Sequence, residues 1–352
     1  MIPPICVKYK VEHWIEISSA FYFAERMVRL VRNTMNFVDL CRGDFGRKVA
    51  YTGVDRITPQ NVVKVVSDTI GIHNRNRTLI DYLYRYMKGD QPILYRNKIV
   101  RPEVNNRVVE NHAFETVKFK AGQICGEPIQ YVCKKKNADE KINEQVDLLN
   151  DYLDEANADA RNIQRAIYQS ATGTSYKAIL KEEDWTKNGD LPPFRIFIPY
   201  PGDCYIVYSQ RNGKPMLSVQ TLKDEDEQQY YLCYSKNQFF EIKNGKVTNY
   251  GINGFGGIPI VECPNNHDRL SDVEIAITLF DAINKYQSDR LNGVEQFVQA
   301  FMKFKNCEVD ENEFLKMVKL GAISVKDTGN GCQSDVELMT AELNQSESQV
   351  AK

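Results

Sequence analysis

Between Ser271 and Lys305 the apolar residues Val273, Ala276, Ile277, Phe280, Ile283, Leu291, Val294, Phe297, Val298, Phe301 and Phe304 recur at spacings of three and four. That period predicts one long amphipathic helix. Ser271 and, three residues on, Glu274 form a capping box that marks its start. At 1.5 Å per residue the helix would be on the order of 50 Å long. Gly293 is its weak point, since a mid-helix glycine costs about 1 kcal/mol against alanine. Two ways of burying the stripe stay open. One is a core helix of an α+β domain. The other is a rod packed against copies of itself or a second rod, with Asn284, Lys285, Ser288, Asp289, Arg290 and Gln296 on its polar opposite face.

The rest of the chain divides by period. Residues 1–46 mix aromatic and basic residues without a domain pattern and read as an N-terminal extension, with Met35 a candidate start. Thr58 and Pro59 open a helix that Val62, Val63, Val65, Val66 and Ile70 continue, and a second helix over Arg77–Lys88 stops at Gly89. Pro92 and Pro102 then punctuate an extended arm. A helix from about Asn106 to Ile124, a stop at Gly126 and a short strand Ile129–Val132 follow. After the charged surface run KKKNADEK come two helices over 139–172. The first would turn Ile142, Val146, Leu149 and Leu153 inward, the second Ile163, Ala166 and Ile167.

From 175 to 262 the period switches to two. SYKAIL, FRIFIP, CYIVYS, LSVQTL, QYYLCYS and QFFEI predict the short strands of an antiparallel meander, with Asn212-Gly213 and Asn244-Gly245 as turns. Residues 251–266, GINGFGGIPIVECPNN, read as a flexible strap into the long helix. Beyond Asn306 the pattern predicts a short helix Asn312–Leu320, a strand Ala322–Val325, a turn at Gly329 and Gly331, a segment Asp335–Met339 and the start of another helix in AELNQSESQVAK.

The composition is that of a globular chain of two-domain length: 352 residues, 42% hydrophobic and 26% charged. A formal net charge of −2 argues against gripping nucleic acid through a broad basic face. Nine scattered cysteines without C-x-x-C spacing suggest neither a zinc site nor a disulfide framework, and fit a reducing cytoplasm. No apolar run reaches 18 residues, and Glu12, Glu16, Glu25 and Arg26 interrupt the N-terminal patches, so neither a signal peptide nor a membrane span is expected.

Catalytic chemistry is not signalled. His13, His73, His112 and His267 lie in no catalytic motif. Asp310, Glu311 and Glu313 suit a solvated first helical turn, and the acidic loop 224–227 has no sequence partner for a metal. The glycine-rich run lacks G-x-x-x-x-G-K-[ST], and Pro259 stands where a dinucleotide fingerprint needs glycine. The expectation is a protein that is not an enzyme and has no cofactor or metal. A phage nuclease would be the enzymatic rival.

Three blocks carry a family likeness: Gly89–Leu94 (GDQPIL), Arg101–Asn106 in the arm RPEVNNRVVEN, and Gly126–Val132 (GEPIQYV). In that order they resemble the portal proteins of tailed bacteriophages, the head-to-tail connectors of siphophage type. A second stretch agrees. Ile258, Pro259, Val261, Glu262, Pro264, Asn265 and Asn266, with Asp281, Asn284, Ser288 and Asp289 in the helix that follows, are similar to the family's passage from wing into stem. That stretch favours the rod.

The resemblance covers roughly residues 47–352. It implies an α+β portal fold with an α/β wing (47–264) containing the meander, a stem helix (265–306), a small α/β clip (307–343) and the start of a second stem helix (344–352). The rest of that helix, the tunnel loop and the crown that the resemblance implies are expected to be missing from this chain. It further implies a dodecameric ring at one capsid vertex of the virion, assembled in the host cytoplasm of a phage or prophage. Double-stranded DNA would pass through it non-specifically during packaging and ejection. The implied partners are the terminase large subunit, a head-tail adaptor, and the major capsid and scaffolding proteins, with no membrane. Lys303, Lys305, Lys316, Lys319 and Lys326, nearly balanced by Glu308, Asp310, Glu311 and Glu313, are the candidate DNA-channel residues. Phe280, Ile283, Val294, Phe297, Phe301, Ile323 and Val325 are the candidate oligomer contacts. A head or tail adaptor that forms no channel is the alternative.

Overall fold

The helix predicted from Ser271 forms, and its start is built as the capping box requires. Ser271 Oγ accepts the N–H groups of Val273 and Glu274 at 3.0 and 3.4 Å, and Ser271 N–H donates to Glu274 Oε2 at 3.2 Å. The computed structural model describes residues 37–99, 102–133, 140–182, 192–298, 301–305 and 335–339. These comprise helices and the strands of one mixed and two antiparallel sheets, an α+β protein. Two units divide the chain: Met1–Tyr95 with Asn111–Asp281, and Arg96–Glu110 with Ala282–Lys352.

In the first unit, α1 (Phe37–Cys41) precedes strand β1 (Ala50–Thr52) and α2 (Val62–Met87). α2 is a single helix of 26 residues where the sequence predicts two. Its buried stripe runs unbroken through Thr69, His73 and Asn76, polar residues that a hydrophobic pattern skips. Each is paired: Thr69 Oγ1 with Val65 O, His73 Nε2 with Gly202 O, and Asn76 with the N–H and carbonyl of Lys48. α3 (His112–Cys125) starts six residues later than predicted, because Asn111 Oδ1 accepts Phe114 N–H and so caps it there. The predicted strand at Ile129–Val132 does not form. Asn150 takes both backbone groups of Tyr131 at 3.0 Å, doing what a sheet partner would do.

α4 (Glu140–Glu155) and α5 (Ala158–Thr172) match the prediction in position. Their orientation differs. α4 has no buried residue, with Ile142 and Leu149 exposed, and Ile163 of α5 is exposed as well. The strands β2 (Thr174–Lys181), β3 (Phe194–Phe197), β4 (Cys204–Ser209), β5 (Pro215–Lys223), β6 (Gln229–Tyr234), β7 (Gln238–Lys243), β8 (Lys246–Ile252) and β9 (Ile260–Pro264) form two sheets instead of one meander. The larger has the order β1-β4-β5-β6-β7-β8, antiparallel except for β1 beside β4. The smaller has the order β3-β2-β9. Asn244 and Gly245 both take positive φ in the β7–β8 hairpin, whereas at the other predicted turn only Gly213 does.

Both faces of the larger sheet are covered in part. Val62, Val65 and Val66 of α2 pack on Val207, Leu217, Val219, Cys233 and Phe240. On the other face Cys204 and Ile206 meet Tyr176, Ala178 and Ile260 of the smaller sheet. The stretch read as a flexible strap is ordered. It supplies the end of β8 and all of β9, and Asn253 between them donates to the carbonyls of Ser235 and Gly257.

Helix α6 (Asp272–Val298) has 27 residues, about 40 Å at 1.5 Å per residue. The prediction ran to Lys305, but Phe301–Lys305 is strand β10, antiparallel to β11 (Asp335–Met339). FMKFK fits a period of two as well as the helical spacing, and its partner strand is some thirty residues away, which a local pattern cannot register. The helix Asn312–Leu320, the strand Ala322–Val325, the glycine turn, residues 344–352 and most of the N-terminal extension lie outside the described residues.

Candidate functional site

The second unit is organised by a ladder between an extended arm and the second half of α6. Asn284, Ser288 and Asn292 stand four residues apart on the helix and are fully or almost fully buried. Asn284 Oδ1 accepts Glu110 N–H at 2.8 Å, Ser288 Oγ accepts Val108 N–H at 2.9 Å, and Asn292 Oδ1 accepts Asn106 N–H at 2.7 Å. Four helical residues rise about 6 Å, and two extended residues span about 6.6 Å, so alternate amides of the arm meet successive turns of the helix. The buried stripe of α6 reads Val273, Ile277, Phe280, Asn284, Ser288, Asn292. It changes from apolar to polar where its neighbour becomes bare backbone, whose part-buried donors it pairs.

Charge fixes the arm's outer turn. Arg96 Nη1 reaches Asp289 at 2.8 Å, while its Nη2 donates to the carbonyl of Asn106 at 3.0 Å. Asn106 Nδ2 donates to Glu295 Oε2 at 2.6 Å, and Gln287 Nε2 to Glu110 Oε2 at 2.8 Å. The sequence sets Asn284, Ser288 and Asp289 on the polar face opposite the apolar stripe. The structure buries the first two and engages the third. Their spacing of four, in phase with Ile277 and Phe280, was the signal available.

In the first unit the approach to α6 is equally polar. Glu274 accepts Arg47 Nη2 at 2.6 Å and Gly46 N–H at 2.7 Å in addition to its capping bond. Glu262 accepts Arg269 through both oxygens at 2.7 and 2.9 Å, with Tyr208 and Thr174 donating too. Burial pushes the Glu262 carboxyl up, but the Arg269 guanidinium together with the Tyr208 and Thr174 hydroxyls outweighs it and holds the group below the usual carboxylate range. Asp281 goes the other way. Burial raises it, and the Tyr86 hydroxyl donating at 2.8 Å offsets only part of that. The loop between β9 and α6 is held by Asn265 and Asn266, whose side-chain amides both donate to Leu270 O, and by Lys120 on Asp272 at 2.8 Å. Gln91 of the GDQPIL block donates to Asn111 Oδ1 at 3.1 Å. The similar sequence blocks are therefore joined by hydrogen bonds: Gln91 to Asn111, and within the second unit Asn106 and Val108 to Asn292 and Ser288.

The candidate residues named from sequence fall in different places. Phe280 is 6% exposed and packed among Phe37, Leu83, Val117 and Val273, so the core of its own chain occupies it. Ile283 is half-buried, and Val294 is exposed beside Leu291 on a groove of about 440 Å³ that Val108 and Arg290 also line. Phe297 lies in the last turn of α6 and Phe301 in β10, positions whose side chains are outside the described residues. Lys303 and Lys305 are in β10, where the register sets them opposite Glu337 and Asp335. Lys316, Lys319, Lys326, Ile323 and Val325 lie outside the described residues. Among the described residues no three His, Cys, Asp or Glu side chains converge as a metal site, and no helix is long and apolar enough to cross a membrane.

No curated protein was found to match the chain. A family model described as phage portal protein, SPP1 Gp6-like, matches residues 67–351, most of the chain and parts of both units. The chain belongs to that family of phage portal proteins.

Proposed function

We propose that this portal protein assembles about a dozen copies into a ring-shaped channel at one vertex of the capsid, through which double-stranded DNA is packaged and later ejected. The single observation that carries this reading is the family match across residues 67–351. In this reading the first unit's sheets form the peripheral wing, α6 the stem, and β10 with β11 part of the clip. The ring docks the terminase large subunit during packaging and head-tail adaptors afterwards, and it contacts the major capsid and scaffolding proteins. It assembles in the host cytoplasm and ends in the virion. It is not an enzyme, and the work of translocation is done by the terminase.

The physics of such a channel supports the charge pattern. A lining that neutralised many phosphates at once would bind DNA with a steep salt dependence and impede its sliding. Lys303 opposite Glu337 and Lys305 opposite Asp335 offer two positive and two negative positions on one ribbon, a nearly neutral contact. The ladder of Asn284, Ser288 and Asn292 has a mechanical role. It ties the arm to the stem through side-chain-to-backbone hydrogen bonds and leaves Leu291 and Val294 exposed for neighbours.

The test is genetic. Deleting this gene from the phage genome that encodes it should give capsid shells without DNA, restored by the gene supplied in trans. DNA-filled heads from the deletion would overturn the proposal.

A further inference from the structure

The turns of an antiparallel meander alternate between its two ends, so the β4–β5 and β6–β7 turns share one end and the β5–β6 turn lies at the other. The first end is basic and apolar. Lys214 and Lys236, both exposed, rim a groove of about 430 Å³ whose wall includes Pro215, Ile258, Ile260 and Val261. Asn253 draws the β8–β9 connection onto the same end by donating to Ser235 O and Gly257 O. Ile252, Phe255 and Val261 stand exposed around it at 86, 44 and 57%. The groove's carboxylate, Glu262, is consumed by Arg269, Tyr208 and Thr174. Neither lysine has an ion-pair partner among the described residues.

The other end carries both signs. Asp224, Glu225, Asp226 and Glu227 form its tip, Glu227 is paired with exposed Lys223, and Lys243 and Lys246 of the β7–β8 hairpin stand at the same end with Asp224 acting on Lys243, so Glu225 and Asp226 are the tip's uncompensated carboxylates. This turn is built, not loose. Gln228 N–H donates to Asp224 Oδ1 at 2.8 Å, Asp224 N–H to Gln228 O at 3.0 Å, and Glu227 N–H to Asp224 O at 3.0 Å.

We infer that the acidic tip Asp224–Glu227 of one copy docks in the groove between Lys214 and Lys236 of the next copy. Strands of six residues hold the two ends about 20 Å apart, so one sheet cannot satisfy both by itself. Complementary patches on opposite ends make a head-to-tail contact, the kind that closes into a ring when its rotation allows. The contact gives the exposed apolar residues around the groove a cover and sets the direction of subunit addition. Being rim electrostatics on an apolar floor, it is weakened by salt. The inference rests on the ring proposed above and names one interface within it.

The experiment compares four full-length chains by native mass spectrometry and negative-stain imaging: the natural sequence, Lys214→Glu with Lys236→Glu, Glu225→Lys with Asp226→Lys, and all four changes together. The natural chain is expected to form rings. Each charge-reversed pair should reduce the assembled fraction about tenfold, and the fourfold variant, in which both sides of every contact are reversed, should recover it. Rings from either paired variant at the natural level would overturn this interface and leave the ring itself standing, as would failure of the fourfold variant to recover. A natural chain that stays monomeric would overturn both.

Discussion

Asn292 on helix α6, only 2% exposed, accepts the backbone N–H of part-buried Asn106 through its side-chain carbonyl at 2.7 Å. With Ser288 to Val108 and Asn284 to Glu110 it makes a helix side-chain ladder that does the work of a missing β-strand partner. Leaving such a part-buried amide unpaired costs up to about 1–3 kcal/mol. Asn292→Ala and Ser288→Ala should therefore each raise hydrogen exchange at Asn106 and Val108 by roughly 5- to 150-fold, the same free energy expressed as a rate ratio. Unchanged protection at those two amides would contradict the ladder.

Arg47 and Glu274 form a pair whose side chains are 1% and 0% exposed. Removing one member of such a pair strands a buried charge and costs about 3–5 kcal/mol. Arg47→Met should show that loss in chemical denaturation. The double variant Arg47→Met with Glu274→Gln should lose clearly less than the sum of the two single losses, because no charge is left unpaired. Additive losses would mean that the pair is not coupled.

His73 is buried under Tyr205, with ring centroids 4.5 Å apart, and its Nε2–H donates to Gly202 O at 2.9 Å. Burial pushes its pKa down to about 4, and Arg77 adds to this. Unfolded histidine titrates near 6.5, so between about pH 6.5 and 4 the unfolded chain takes up a proton that the folded chain refuses. Stability should be full above that window and fall as the pH is lowered through it, by about 3 kcal/mol in all. A His73→Gln variant, less stable at neutral pH, should lose this part of the pH dependence. Parallel pH curves for the two proteins would refute the assignment.

Gly173 sits at φ +86° with the carbonyl of Arg269 where a Cβ would stand, 2.0 Å away, and Gly46 at φ +80° faces Asp268 O at 2.3 Å. Both glycines let the loop before α6 lie against bare backbone. Gly173→Ala should cost roughly 3 kcal/mol, combining backbone strain with the forced displacement. Gly122, on α3 with open space around it, is the control. Gly122→Ala should be neutral or stabilise by up to about 1 kcal/mol. The melting temperatures of the two variants decide the point.

Much of this fold was legible because it rests on local periods. The capping box at Ser271 and Glu274, the strands from CYIVYS to QFFEI and the helices over 140–172 stand where pattern puts them. The errors share a cause. The hydrophobic pattern breaks α2 between Ile70 and Arg77 and sets Asn284 and Ser288 opposite the apolar stripe, because polar residues interrupt it where long-range partners bury them. Ile129–Val132 has strand composition, yet the side chain of Asn150 takes both backbone groups of Tyr131. β10 was read as helix since its partner β11 is remote. Of the candidate site, the motif residues were visible as a family likeness. That the arm and stem blocks bond to each other was not, because no single sequence expresses a pairing across some 180 residues.

The ring is the central claim, and native mass spectrometry of the full chain, with images of the same sample, tests it most directly. The account predicts closed rings of about a dozen copies with a central hole wide enough for duplex DNA. Monomers or dimers under conditions where the chain is folded would contradict it, and would point instead to a head or tail adaptor that forms no channel.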